Sequence, residues 1–167
     1  MRLFLALPLS AELRAHLTDA QARLRAQGVR ANFSRPENLH LTLAFLGETP
    51  RARDAARVMA ACRDAAFPLT VAGLGRFGGV LWAGVRPCPP LEALAEGLQA
   101  GLRAAGFSLE ARPFRAHITL ARQARLDGPL PELPPAEMLA DRLLLLESLR
   151  RDGRLVYRTV QEKRLRA

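Results

Sequence analysis

Apolar and polar positions alternate between strand-like and helix-like patterns from the start of the chain. Residues 2–7 are continuously apolar and predict a buried strand. Ser10 is a predicted helix N-cap, because leucines at helical spacing follow it until Gly28 ends the helix. Residues 39–46 predict a second strand, and residues 51–66 predict a second helix.

The second half of the chain repeats this alternation. The pattern predicts paired strands at 68–74 and 79–85, a helix with Leu91, Leu94, Leu98 and Leu102 on its buried side, a strand at 114–121, a surface loop at 127–135 and two closing strands. The dipeptide Asp152-Gly153 is typical of the tight turn of a hairpin.

This order predicts an α+β fold with two pseudo-symmetric lobes inside a single domain that spans residues 1–167. Each lobe is expected to contain a mostly antiparallel sheet with helices on its outer face. Strands in equivalent positions of two facing lobes would present their side chains to one cleft, which is where we expect the active site.

Charge and composition narrow the class of partner. The net charge is +9, and an excess of positive charge favours polyanions, nucleic acid first, through neutralisation of phosphates. No apolar run has the roughly 20 residues needed to cross a membrane. Acidic Glu12 follows the short apolar start, which argues against a signal peptide. We therefore expect a cytoplasmic protein, monomeric, whose Cys62 and Cys88 are free thiols.

Two of the three histidines occur in the same setting, each two residues before a threonine on a predicted strand. The pairs are His40 with Thr42 and His117 with Thr119. Because side chains two apart on a strand share a face, each strand would present an imidazole and a hydroxyl together. The intervening residues, namely Leu41, Leu43 and Phe45 on one strand and Ile118 and Leu120 on the other, should then pack in the core.

Paired imidazoles with hydroxyl neighbours fit in-line phosphoryl chemistry better than the alternatives. The sequence has neither the ligand spacing of a zinc site nor a nucleophile elbow. One neutral histidine can accept a proton from an attacking water while a protonated one donates to the departing oxygen. The hydroxyls of Thr42 and Thr119 would donate to phosphate oxygens, and no metal or other cofactor is needed. These residues alone do not assign which histidine is the acid.

At these motifs the chain resembles the 2H phosphoesterase superfamily, whose signature is a pair of H-x-T-x motifs. The segments "RLFLAL", "PENLHLTLAFLGE", "GRFGGVLWAGV", "FRAHITLAR" and "LESLRRDGRLVY" resemble, in their order, bacterial and archaeal RNA 2',3'-cyclic phosphodiesterases, also called 2'-5' RNA ligases. The resemblance implies hydrolysis of 2',3'-cyclic phosphate ends to 2'-phosphomonoesters, with weak reverse 2'-5' joining.

The resemblance also implies roles for individual residues. His40 would be the proton donor, His117 the proton acceptor and Arg122 a phosphate ligand. Strand parity would turn Arg122 away from His117, so its role requires a twist or a strand end there. Ala116 stands where proline often precedes the second histidine, a departure that removes no catalytic group.

Several alternatives remain open at the level of sequence. The chain could be a non-catalytic module that binds RNA ends, or a phosphodiesterase acting on a small cyclic nucleotide instead of RNA ends such as tRNA fragments. Phe45 and Phe33 could stack on a base, although core packing is the stronger expectation for both. The arginines that could line a phosphate track are Arg30, Arg35, Arg76, Arg112 and Arg115.

Overall fold

The computed structural model describes residues 1–167 as two antiparallel sheets and three α-helices. The strands are β1 (Arg2–Pro8), β2 (Arg30–Phe33), β3 (His40–Glu48), β4 (Phe67–Phe77), β5 (Val80–Val85), β6 (His117–Arg125), β7 (Ala136–Ala140), β8 (Arg142–Arg151) and β9 (Arg154–Arg164). The helices are α1 (Ala11–Ala26), α2 (Ala52–Ala60) and α3 (Pro89–Ala104), with a short 3-10 turn at Pro36–Asn38. None of the helices combines the length and the apolar character needed to span a membrane.

Each sheet contains one of the two histidine strands. The four-stranded sheet has the order β3-β1-β8-β9, and the five-stranded sheet has the order β2-β6-β5-β4-β7. All pairings between these strands are antiparallel. The predicted α+β architecture with two sheet-based lobes is therefore confirmed.

Local sequence signals account for several element boundaries. The Ser10 side chain accepts a hydrogen bond from the Leu13 backbone N–H at 3.1 Å, which caps α1 as predicted. Asp152 and Gly153 both have positive φ, 51° and 75°, so they form the tight turn between β8 and β9. All four leucines predicted for the buried side of α3 are buried.

One large hydrophobic cluster joins the two sheets and the helices. Leu24 of α1 packs with Leu81 and Ala121 of the five-stranded sheet, while α2 contacts β8 and β9 of the other sheet. Helix α3 contacts β3 and β4, and so touches both sheets. The two histidine strands are thus anchored to one shared core, which fixes their relative position.

One helix end and two edge strands differ from the sequence-based expectation. The second helix ends at Ala60 instead of residue 66, because the backbone of Asp64 and Ala66 pairs with Arg166 near the C-terminus. Two strands were not predicted, β2 and β7. Both are short and lie at the two edges of the five-stranded sheet, so they carry little of the alternation by which strands are recognised.

Candidate active site

The two H-x-T motifs come together where the sheets meet. Strand β3 begins at His40 and strand β6 begins at His117, and the two strands contact each other across the junction. Both imidazoles are half-buried, as are Thr42 and Thr119. The apolar residues that alternate with them are fully buried as predicted, namely Leu41, Leu43, Ile118 and Leu120.

Each imidazole makes an equivalent hydrogen bond to the backbone carbonyl two residues before it. Nδ1 of His40 lies 2.7 Å from the Asn38 carbonyl oxygen, and Nδ1 of His117 lies 2.8 Å from the Arg115 carbonyl oxygen. A carbonyl only accepts, so Nδ1 carries the proton in each ring. In the neutral form Nε2 of each histidine therefore carries the lone pair, which is the arrangement a proton-transfer group needs.

Thr42 contacts its histidine directly. Its hydroxyl Oγ1 lies 2.8 Å from Nε2 of His40. When His40 is neutral, the hydroxyl donates to the Nε2 lone pair. When Nε2 is protonated, the hydroxyl can only accept from it, and its own proton becomes available to another acceptor.

Each motif strand contains a β-bulge at the residue after the threonine. In β3, Thr42 pairs with Ala6 but Ala44 pairs with Leu5, so Leu43 is the extra residue. In β6, Thr119 pairs with Trp82 but Ala121 pairs with Leu81, so Leu120 is the extra residue. Since one extra residue reverses the alternation of faces, the side chains that directly follow the bulge change side.

The bulges move the fifth residue after each histidine onto the histidine face. These residues are Phe45 and Arg122, and both are exposed. The expectation that Phe45 packs in the core is therefore wrong; 62% of its surface is exposed. Strand parity alone would turn Arg122 away from His117. The bulge at Leu120 reverses that parity and turns the Arg122 side chain toward the histidines.

Two glutamine side chains hold the bulges from the helices. Gln99 of α3 donates from Nε2 to the Leu43 carbonyl at 2.9 Å, and Gln21 of α1 donates to the Leu120 carbonyl at 3.0 Å. The Leu120 carbonyl also accepts a hydrogen bond from the Ser34 backbone N–H at 2.9 Å. Each glutamine therefore ties its helix to the backbone of a bulge. Helix α1 precedes β3 in the chain yet supports the bulge in β6, while α3 precedes β6 and supports the bulge in β3.

The positive charge of Arg122 affects the pKa values of two neighbouring side chains, His40 and Tyr157. Burial, followed by the positive charge of Arg122 and that of His117, lowers the pKa of His40 below its usual 6.5, although the hydrogen bond to the Asn38 carbonyl opposes this shift. Burial also raises the pKa of Tyr157, against the effect of the same arginine. His40, His117, Arg122 and Tyr157 therefore belong to one electrostatic site.

Aromatic rings that the sequence did not indicate surround His40. Its ring centroid lies 5.0 Å from that of Phe4 and 5.2 Å from that of Tyr157, and Phe4 also contacts Phe45 at 5.8 Å. Tyr157 lies on β9 of the same sheet, and Asn38 Nδ2 donates to the Leu155 carbonyl at 3.0 Å, which ties the β8–β9 hairpin to the start of β3. The sequence predicts the hairpin but gives Tyr157 no role at the site.

Other candidate residues have structural partners. Phe33 packs beneath the Arg25 guanidinium, 4.3 Å from its ring centre, against the small cluster around Leu24. Of the five arginines considered for a phosphate track, Arg35 and Arg112 form ion pairs with Glu37 and Glu110, and Arg76 donates to the Leu126 carbonyl. No group of three or more His, Cys, Asp or Glu side chains is arranged to hold a metal ion.

Comparison with known proteins decides the family. Residues 9–152 match the family model described as the 2'-5' RNA ligase superfamily. The chain belongs to this superfamily. The chain is 31% identical to the RNA 2',3'-cyclic phosphodiesterase of Geobacillus stearothermophilus over 96% of its own length, although it spans only 52% of that protein. It is 30% identical to the enzyme of the same name from Thermotoga maritima, covering 97% of this chain and 94% of that one.

Solved structures agree with this assignment. Escherichia coli LigT in its apo form superposes with a TM-score of 0.88 at 29% identity, over 99% of this chain and 98% of that one. Further structures of LigT, complexed with 3'-AMP and with phosphate, both give a TM-score of 0.84. The superfamily match confirms the resemblance drawn from the two motifs.

The bulge in β6 can be tested through Gln21, whose side chain is 1% exposed and also donates to the Ser34 carbonyl. Replacing Gln21 with methionine removes the donor at similar volume. We expect inorganic phosphate to bind about tenfold more weakly, equivalent to ~1.4 kcal/mol, because Arg122 is no longer held toward the histidines. The pKa of His40, followed by NMR, should rise toward 6.5 as the charge of Arg122 moves away.

Gln27→Met is the matched control for this experiment. Gln27 lies at the end of the same helix and donates to the Pro129 carbonyl at 3.0 Å, so its side chain is engaged by a loop and not by either motif strand. It should leave both readouts unchanged. If Gln21→Met lowers only the melting temperature and leaves the pKa of His40 where it was, the glutamine does not position Arg122.

Proposed function

We propose that this protein is a metal-independent RNA 2',3'-cyclic phosphodiesterase, which opens the cyclic phosphate at an RNA 3' end and leaves a 2'-phosphomonoester. The observation that supports this most directly is the pair of imidazoles from two sheets, each with its Nδ1 hydrogen-bonded to a carbonyl, which leaves Nε2 as the atom that gains or loses a proton. The name shared by its relatives points in the same direction.

The reaction requires proton transfer on opposite sides of phosphorus. Nε2 of His117 accepts a proton from water, whose oxygen forms a bond to phosphorus, while the bond from phosphorus to O3' breaks. Nε2 of His40 donates its proton to the departing O3'. Attacking and leaving oxygens lie in line, so two histidines on two facing sheets suit this geometry better than two on one strand.

Three further side chains would bind the phosphoryl group. Arg122 supplies a permanent positive charge, and Thr42 and Thr119 supply hydroxyl donors for the non-bridging oxygens. Thr42 is coupled to the protonation of His40, since its hydroxyl hydrogen is released from Nε2 only when His40 carries its second proton. The acid form of His40 and the phosphate-binding form of Thr42 therefore occur together.

The lowered pKa of His40 has a consequence for its role as acid. In the free protein the shift disfavours the protonated form, largely because the ring is buried and lies near Arg122. A bound phosphodiester carries a negative charge that offsets Arg122 and favours the imidazolium. Substrate binding would thus charge the acid just before it is needed.

RNA is favoured over a small cyclic nucleotide by charge and by an exposed ring. The net charge of +9 attracts a polyanion, and Phe45 lies exposed on the same sheet face as His40, where a base can stack. Turnover separates this function from that of a non-catalytic RNA-end binding module. The proposal includes a monomer acting in the cytoplasm, a compartment that suits the two free thiols.

The histidines can be tested by substitution in the presence of EDTA. His40→Ala and His117→Ala should each lower hydrolysis of a 2',3'-cyclic phosphate dinucleotide by about 10²–10⁴-fold, the usual contribution of a general acid or base. Wild-type turnover should persist in EDTA. Loss of wild-type turnover on chelation, or near-normal rates in either variant, would show that the chemistry is different.

A modified substrate distinguishes the acid from the base. With sulfur in place of the bridging O3', the leaving group is a thiolate. It departs without a proton because a thiol, with a pKa of about 8.5, is far more acidic than a ribose hydroxyl. His40→Ala should recover most of its lost rate on this substrate, whereas His117→Ala should not. Recovery in His117→Ala alone would reverse the two roles.

The charging of His40 can be measured directly by NMR titration. In the free protein its pKa should lie below 6.5. Addition of 2'-AMP, the mononucleotide product, should raise this pKa, since the phosphate favours the charged ring; the protonated fraction at neutral pH then increases. A pKa that stays low or falls in the complex would be incompatible with His40 as proton donor.

A further inference from the structure

An aromatic pair beside His117 has no part in the hydrolysis described above. Phe77 ends β4 and Trp82 lies in β5, with their ring centroids 4.9 Å apart at an interplanar angle of 33°. Both rings approach His117, at 6.3 Å and 6.4 Å between centroids. Phe77 is 48% exposed, so this pair presents an aromatic surface to solvent next to a proposed catalytic base.

The sheet beneath Trp82 is shaped to receive a flat ring. A Cβ added to Gly75 would lie 2.3 Å from the indole, and one added to Gly84 would lie 3.4 Å from it. The indole therefore rests on bare backbone at two strand glycines, an arrangement that pins a ring against a sheet.

The pair lies on the nucleophile side of the phosphorus centre. Trp82 pairs with Thr119 across the sheet, and Gly84 pairs with His117. In the proposed reaction the O3' that departs from phosphorus lies toward His40, and the attacking oxygen lies toward His117. Water needs no aromatic surface, so hydrolysis leaves the Phe77–Trp82 pair without a ligand.

We propose that Phe77 and Trp82 form an acceptor subsite, which stacks the base of a nucleoside whose 5'-hydroxyl takes the place of water. This inference rests on the proposed function, because it uses the same cyclic phosphate and the same two histidines. The oxygen of the 5'-hydroxyl bonds to phosphorus and gives its proton to His117, the bond to O3' breaks, and His40 protonates O3'. The product is a 2'-5' phosphodiester, and no further reactant is needed.

The same subsite acts in the opposite direction. When a 2'-5' linked dinucleotide binds, its free 3'-hydroxyl gives its proton to His40 and attacks phosphorus. The bond from phosphorus to the 5'-oxygen of the second nucleoside breaks, and His117 protonates that oxygen. That second nucleoside is the one stacked on Phe77 and Trp82. The pair therefore contributes to transfer to and from a nucleoside, but not to transfer to water.

Phe77→Ala tests the subsite by comparing two reactions of one enzyme. We expect the ratio of 2'-5' dinucleotide cleavage to hydrolysis of adenosine 2',3'-cyclic phosphate to fall by about 5- to 150-fold, the range that base–aromatic stacking supplies. Using the ratio removes any loss common to both reactions. Phe77→Tyr, which keeps a ring, should restore the ratio.

Leu139→Ala is the control for loss of exposed apolar surface. Leu139 is 56% exposed on β7, where it pairs with Pro68 near the opposite end of β4 from Phe77, and its replacement should leave the ratio unchanged. Wild-type protein that fails to hydrolyse the cyclic phosphate would overturn the proposed function and this inference together. Wild-type hydrolysis combined with an unchanged ratio in Phe77→Ala would overturn the subsite alone.

Binding can be followed independently through Trp82, the single tryptophan of the chain. With 2'-AMP present to occupy the His40 side, adenosine should quench the fluorescence of Trp82, and Phe77→Ala should weaken the apparent affinity by the same factor as it lowers the ratio. Absence of quenching by adenosine up to millimolar concentration, with 2'-AMP bound, would contradict the subsite.

Discussion

The site depends on a single backbone irregularity that occurs twice. A regular strand after His40 or His117 would bury the fifth residue along, because alternate side chains point to opposite faces. The bulges at Leu43 and Leu120 reverse that alternation, so each sheet presents its histidine, its threonine and one more side chain on the same face. Without this reversal the site would lack Arg122 and its permanent charge.

Helices α1 and α3 each donate a side-chain hydrogen bond to the bulge in the other half of the fold. Gln21 and Gln99 donate to the carbonyls of the two bulge residues, and each glutamine comes from the helix preceding the other motif strand. A hydrogen bond of this kind contributes about 0.5–1.5 kcal/mol, so the two amides help to maintain the irregular backbone. The pseudo-symmetry of the fold therefore extends from the sheets to the hydrogen bonds behind the site.

The two halves differ in the groups that they place beside equivalent histidines. His40 is surrounded by Phe4 and Tyr157 and its pKa is lowered by burial first, whereas His117 is flanked by Phe77 and Trp82 on an exposed surface. The fifth residue is an aromatic ring on one strand and a cation on the other. Equivalent backbones thus support unlike chemistry, as a reaction with distinct attacking and leaving groups requires.

The sequence by itself determined the two-lobed α+β architecture, the Ser10 cap, the Asp152-Gly153 turn and the pairing of each histidine with a threonine, because these depend on local periodicity and local side-chain chemistry. Only the tertiary structure decided the direction of Phe45 and Arg122, since a bulge is defined by the register of a neighbouring strand. The same holds for Tyr157, Gln21 and Gln99, whose partners are distant in the chain. Contacts of this kind leave no periodic signal in the residues that make them.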